Sequence, residues 1–237
     1  MQQRGGVGVI AIGDAHLAGH RRAPLQRFGT VLVGEFQMRK APAPEIEPGM
    51  GMLGRYPTHG ESEAAQTMPR DAGPPKLSEL AAVYLEGGDL DRGEYPLPSK
   101  RPVLNQKNLQ FHPQVLPILV GSTVDFPNRD NLFHNVFSYS SPKEFDLGRY
   151  PKDDSRSVTF DKPGTIRVYC DIHSHMAATI LVLTNPYFAT PADDGTFVIP
   201  DVPEGKYRII LWFDRGVAER RAIEVEAGKT ITVDFTY

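Results

Sequence analysis

The chain has 237 residues and a formal net charge of −3, long enough for one large β domain or two small ones. That balance points to neither nucleic acid nor a membrane surface as partner, and no run of about eighteen apolar residues exists to span a bilayer. The single cysteine, Cys170, excludes an internal disulfide, so packing must hold the fold.

At the start, Met1-Gln2-Gln3-Arg4 leads into a short, Gly-rich apolar stretch and then the basic run His20-Arg21-Arg22, which is not a convincing secretory leader. Residues 1–75 hold 12 of the 22 glycines and 8 of the 21 prolines. Stretches such as "KAPAPEIEPGMGMLGRYPTHGESE" follow neither a 3.6 nor a 2.0 period, so this segment is expected to be mostly flexible. His16, His20 and His59 lie in it and are assigned no role. The exception is "FGTVLVGEFQM", whose β-branched alternation predicts a strand from Thr30 to Phe36.

From Leu77 onward, short apolar runs alternate with turn chemistry, the texture of a β-sandwich or barrel. "AAVYLEGG" ends in a Gly pair, and "QVLPILVGSTVDFPN" places Gly121-Ser122 between two apolar runs. "SVTFDKPGTIRVYC" sets Asp-Lys-Pro-Gly between two strands. In the second of these, Ile166, Val168 and Cys170 share one face, so Cys170 points inward at a strand end. "MAATILVLTNP" reads as a buried strand. The tail repeats strand and turn in "DDGTFVIPDVPEGKYRIILWF" and "AERRAIEVEAGKTITVDFTY". Asp193-Asp194-Gly195 there reads as a hairpin turn rather than a calcium loop. Trp212 reads as core.

Considered alone, Cys170 is a buried small hydrophobe, a reactive thiol or a metal ligand. Its neighbours decide the matter. In "RVYCDIHSHM" the spacing is C-x-x-H-x-x-M, and thiolate and thioether select copper while imidazole suits copper, nickel and zinc. A loop with three donors lacks one strong ligand, and His134 in "DNLFHNVFSYS" sits on a β-forming segment placed to supply it. Two imidazoles, a thiolate and a long methionine bond make the trigonal blue-copper arrangement. Zinc at the three strong donors is a lesser alternative that leaves the methionine idle.

These residues resemble the cupredoxin (plastocyanin-like) family, and within it the C-x-x-H-x-x-M loop is similar to that of amicyanin. "FHPQVLPILVGSTVDFPNRD" and "HNVFSYSSPKEFDLG" resemble cupredoxin-like proteins associated with methylamine utilisation. The resemblance implies a Greek-key β-sandwich or barrel and one mononuclear type 1 copper. His134, Cys170 and His173 are then the equatorial ligands and Met176 the axial one. Asn135 corresponds to the asparagine that ties the two ligand loops together. His175 is either an extra ligand or an exposed imidazole. Asp171 either braces Asn135 and lowers the potential or simply favours the turn. His112, before a proline, is expected at a strand edge. A second cysteine and a His-Cys-His signature are lacking, so binuclear copper and multicopper oxidase chemistry are not expected. Nor does the chain carry a phosphate loop, a G-x-S-x-G elbow or an HExxH helix.

"GTFVIPDVPEGKYRIILWF" resembles the carboxypeptidase regulatory-like, transthyretin-like family, which implies an accessory β-sandwich with no catalytic residues. The expected organisation is therefore an all-β protein: a flexible segment over 1–75, a cupredoxin domain over 76–184 and a small β unit over 185–237. Strands before residue 90 are candidates to complete that last unit, the cupredoxin sequence being inserted into it. The expected function is one-electron transfer between redox proteins, such as a c-type cytochrome or a dehydrogenase of the periplasm, where family analogy places the protein. The rival is a non-redox copper-binding or carbohydrate-binding accessory protein. An apolar patch around the edge of His173 would separate the two, because only docking to a redox partner requires it.

Overall fold

The computed structural model describes residues 30–37 and 76–236; the expectation of flexibility over most of 1–75, and His16, His20 and His59, lie outside the described residues. The fold is all β. In chain order the strands are β1 (Thr30–Gln37), β2 (Ala81–Glu86), β3 (Asn105–Lys107), β4 (Gln110–His112), β5 (Val115–Leu119), β6 (Thr123–Pro127), β7 (His134–Ser140), β8 (Lys143–Tyr150) and β9 (Ser155–Thr159). They continue as β10 (Gly164–Tyr169), β11 (Ala177–Leu183), β12 (Phe188–Ala189), β13 (Thr196–Val202), β14 (Gly205–Phe213), β15 (Gly216–Val225), β16 (Thr230–Thr232) and β17 (Phe235–Thr236). Among the described residues the helical elements are one turn at Leu77–Leu80 and a 3-10 turn at Leu90–Arg92.

The central sheet runs β5-β11-β10-β7-β8, with β5 parallel to β11 and the other neighbours antiparallel. Two ribbons, β3-β4 and β6-β9, complete this half. It stays an open sandwich, with no closed barrel among the described residues. Ile166, Val168 and Cys170 point inward from β10 and its end, as period-2 alternation requires. They pack with Phe111, Phe126, Val136, Tyr150, Phe160, Met176 and Ile180 in one core.

The second half is discontinuous in sequence. β1 pairs antiparallel with β13 and parallel with β16 and β17. β2 lies between β12 and β14, Ala81–Glu86 facing Arg208–Phe213. Their apolar faces enclose a separate core with Leu32, Phe36, Leu85, Phe197, Ile209, Leu211 and Phe235. A third cluster of Ala82, Tyr84, Val115, Leu181, Ile210 and Trp212 joins the β2-β14 sheet to β5 and β11. Trp212 is thus core, donating its Nε1–H to the Asp214 carbonyl. The Asp193-Asp194-Gly195 run does turn, closed by a Gly195 N–H bond to Ala192 O, but it joins strands of different sheets rather than a hairpin. β12 pairs with β2 and β13 with β1, because each buries its apolar face against a different partner.

Candidate metal centre

The segment Cys170–Met176 is the connection between β10 and β11, whose last register pair is Tyr169 with Ala177. It is closed by the Met176 N–H on His173 O (2.9 Å) and a longer Cys170 N–H contact to Met176 O (3.4 Å). Across from it, β7 begins at His134. Its first three residues, His134, Asn135 and Val136, are all buried. His134, Val136 and Ser138 keep the inward face, and Asn135 is buried on the other, where it bonds Asp146 and the Asp171 N–H; opposite Val136, β8 carries one extra residue, a bulge between the Asn135–Arg149 and Phe137–Asp146 pairs.

On that inward face His134 meets Cys170 and His173. The Nδ1 atoms of the two histidines are 3.0 Å apart, and Cys170 Sγ lies 3.9 Å from that of His134 and 3.8 Å from that of His173. The centre of this triangle is about 2.1 Å from each donor, within the ~2.0–2.3 Å of a first-row metal bond to nitrogen or sulfur. All three residues are buried, and they form the only such cluster of histidine, cysteine and acidic groups among the described residues. Met176 is also buried, in the same core cluster as Cys170. His175 stands apart: it is exposed, and its ring centroid is 6.3 Å from that of His173.

The electrostatics favour a thiolate. Burial pushes the Cys170 thiol up, but His134 and the backbone N–H groups of Asn135, His173 and Ile172 hydrogen-bond to it and hold it below the usual thiol range. Burial works against charge on His134 as well, yet Cys170 and Asp130 outweigh it and raise the imidazole. His173 is lowered by burial and by the neighbouring His134 and His175. A thiolate beside two imidazoles is the donor set that copper prefers, so the residues present fit the metal.

Several supporting contacts are not legible in the sequence. Asp130 Oδ2 accepts the His134 Nε2–H at 2.9 Å, and the carboxylate takes backbone N–H bonds from Asn108 (2.7 Å) and Leu109 (2.9 Å). Those two residues form the β3-β4 turn at φ 54° and 59°, a conformation unusual for leucine. Burial alone would raise the Asp130 carboxyl, but these bonds from Leu109, His134 and Asn108 hold it low. The run "NRDN" marks a loop by its turn chemistry and nothing marks its carboxylate as a partner of His134.

Asn135 links the two ligand segments through its Oδ1, which receives the Asp171 N–H at 3.4 Å, while its Nδ2 donates to Asp146 at 2.6 Å. The Asp171 carboxylate itself turns to Arg149 (3.3 Å), so Asp171 meets Asn135 by its backbone. His112, at the end of β4, is half-buried and bonds Glu79 at 3.2 Å.

Residues 101–183, the segment that carries these donors, match the family of copper binding proteins that contains plastocyanin and azurin. Residues 175–233 match domain II of polysaccharide lyase family 4. No curated protein matches the chain. Among solved structures, it is similar to a copper-containing nitrite reductase from Thermus scotoductus SA-01, with 29% identity over 38% of this chain and 24% of that one and a TM-score of 0.34. It is also similar to amicyanin, both as a methionine-to-alanine mutant in the Cu(I) state (24% identity, 35% of this chain, 81% of that one, TM-score 0.33) and as a reduced proline-to-phenylalanine mutant (27% identity, 35% and 81%, TM-score 0.33). The chain thus spans about a quarter of the nitrite reductase.

Proposed function

We propose that the protein is an electron carrier with one type 1 copper held by His134, Cys170, His173 and Met176, passing single electrons between redox proteins outside the cytoplasm. The observation that carries this reading is the buried Nδ1–Nδ1–Sγ triangle, sized for one metal and built from the donors copper favours. Copper supplies the one-electron couple. The chain supplies a frame that changes little between oxidation states: Asp130 fixes His134, and the N–H groups of Asn135, Ile172 and His173 aim at the cysteine sulfur. His173 is buried, but its neighbour Ile172 is exposed, as are Leu132 and Phe133 before His134. Exposed apolar side chains beside both histidines suit brief docking of a redox partner. A c-type cytochrome or a dehydrogenase would fit that role. The cupredoxin domain takes the middle of the chain, and β1, β2 and β12–β17 form a transthyretin-like accessory unit around it.

The second reading, a non-redox accessory protein, is favoured by the polysaccharide lyase match over 175–233. It predicts polysaccharide binding by the full chain without dependence on copper redox state.

The deciding experiment is visible absorption and electron paramagnetic resonance of the Cu(II)-loaded protein beside Cys170→Ser. An intense blue charge-transfer band with narrow hyperfine splitting, lost in the variant, is expected. A pale, ordinary Cu(II) spectrum unchanged in the variant would reject the type 1 centre.

A further inference from the structure

Where the copper-ligand loop meets the β14-β15 turn, the two halves leave a cleft of about 180 Å³. Arg167 of β10, the segment from His175 to Thr179, Gln110 and Gln114, and Asp214 and Arg215 line it. The volume is below the ~300 Å³ at which drug-sized sites begin, so a group of only a few atoms fits.

Arg167 defines what that group is. Alternation along β10 sends Ile166 and Val168 into the core and Arg167 to the opposite side, where it is half-buried. Its Nη1 donates to Thr179 Oγ1 at 2.6 Å and its Nη2 to the Arg215 carbonyl. These two bonds fix the guanidinium against both halves and leave three of its five N–H donors unused. Among the described residues no carboxylate is within ion-pair distance of it, whereas Arg101, Arg129, Arg149, Arg208 and Arg221 each pair with one. The one acid in the cleft, Asp214, is paired with Arg215 at 3.8 Å. A fixed, half-buried, unpaired guanidinium is costly, and an anion that accepts its free N–H groups offsets that cost. The side-chain amides of Gln110 and Gln114 add neutral donors on the same cleft.

We propose that this cleft binds a small oxyanion, a carboxylate or phosphate group, with Arg167 as its anchor and Arg215 and the two glutamines as supporting donors. Two oxygens of a carboxylate or a phosphate match the guanidinium fork, and chloride does not. The site lies beside the ligand loop but draws no donor from the metal cluster, so it stands or falls independently of the copper centre.

The test is calorimetric titration of the full, metal-free chain with inorganic phosphate and with acetate at low ionic strength, with chloride as control. Saturable one-site binding of at least one oxyanion is expected, with chloride much weaker. Arg167→Gln is expected to weaken it by at least about tenfold, and Arg167→Lys, which keeps the charge but loses the fork, by less. Because Arg167→Gln also cuts the bonds to Thr179 and Arg215, Arg215→Gln and Gln114→Ala are the companion variants, each leaving those bonds in place and weakening binding severalfold. Absence of saturable binding of both oxyanions, or affinity equal to that of the parent in Arg167→Gln and Arg215→Gln, overturns the proposal.

Discussion

Asp130 is the residue through which the loop ahead of β7 acts on the site. Its carboxylate sits 2.9 Å from His134 Nε2 and is itself held by two backbone N–H groups of the β3-β4 turn. A metal-bound imidazole hydrogen-bonded to a carboxylate is a stronger donor and is fixed in orientation. That favours the more highly charged metal ion. Asp130→Asn keeps the shape and removes the charge; we expect the reduction potential to rise by ~50 mV, equivalent to about 1 kcal/mol for one electron. Protein-film voltammetry reads this directly, and an unchanged potential would show that Asp130 is only scaffolding. The four proposed ligands were readable because C-x-x-H-x-x-M is a local spacing with few other uses. Asp130 was not, since its contact depends on how a loop folds back.

At the scale of elements, the 3-10 turn at Leu90–Arg92 shows how a short connection locks two segments. Asp91 accepts the Gly87 N–H, the Thr184 hydroxyl at 2.7 Å and Asn185 Nδ2 at 3.0 Å, tying the end of β2 to the link between β11 and β12. Partial burial pushes this carboxyl up, but the bonds from Thr184, Gly87 and Asn185 prevail and hold it below the usual range. A lowered carboxyl stabilises the fold fully above its unfolded value and loses that contribution as pH falls through the folded one. The wild type should therefore lose stability below about pH 4 through this group, and Asp91→Asn should lose less over that interval. At neutral pH the variant should be weaker by about 1 kcal/mol, discounted for solvent exposure. Urea unfolding at pH 7 and pH 3 measures both; equal pH dependence in the two proteins would refute it. The β8 bulge opposite Val136 belongs to this scale too. Sequence alternation places His134 and Val136 on one face, and Asn135 is buried on the other by its bonds to Asp146 and the Asp171 N–H.

For the whole molecule, the informative cluster is the small one between the two cores. Tyr84, Val115, Leu181, Ile210 and Trp212 pack the β2-β14 sheet onto β5 and β11, and Arg167 bridges the same boundary through the Arg215 carbonyl. Removing the largest of these side chains should cost about 3–4 kcal/mol and weaken coupling more than either core. Calorimetry of Trp212→Ala is expected to show a lower first transition separated from a second, where the parent unfolds in one. A single shifted transition in the variant would mean that the halves depend on each other through more than this contact.

Local chemistry made much of this protein legible in advance. Period-2 alternation and turn residues announce strands such as β9, β10, β13 and β14, because side-chain direction and glycine or proline dihedrals are properties of a few consecutive residues. The proposed donor set is equally local, three of its four members falling on one loop. What required the tertiary structure was non-local: which strands β1 and β2, already candidates for the last unit, pair with more than a hundred residues later, that Cys170 and His173 close on His134, that Asp130 closes on its imidazole and that Arg167 is left without an acid. Each of these is settled by which apolar faces are buried together and by which polar groups that burial then forces to find partners.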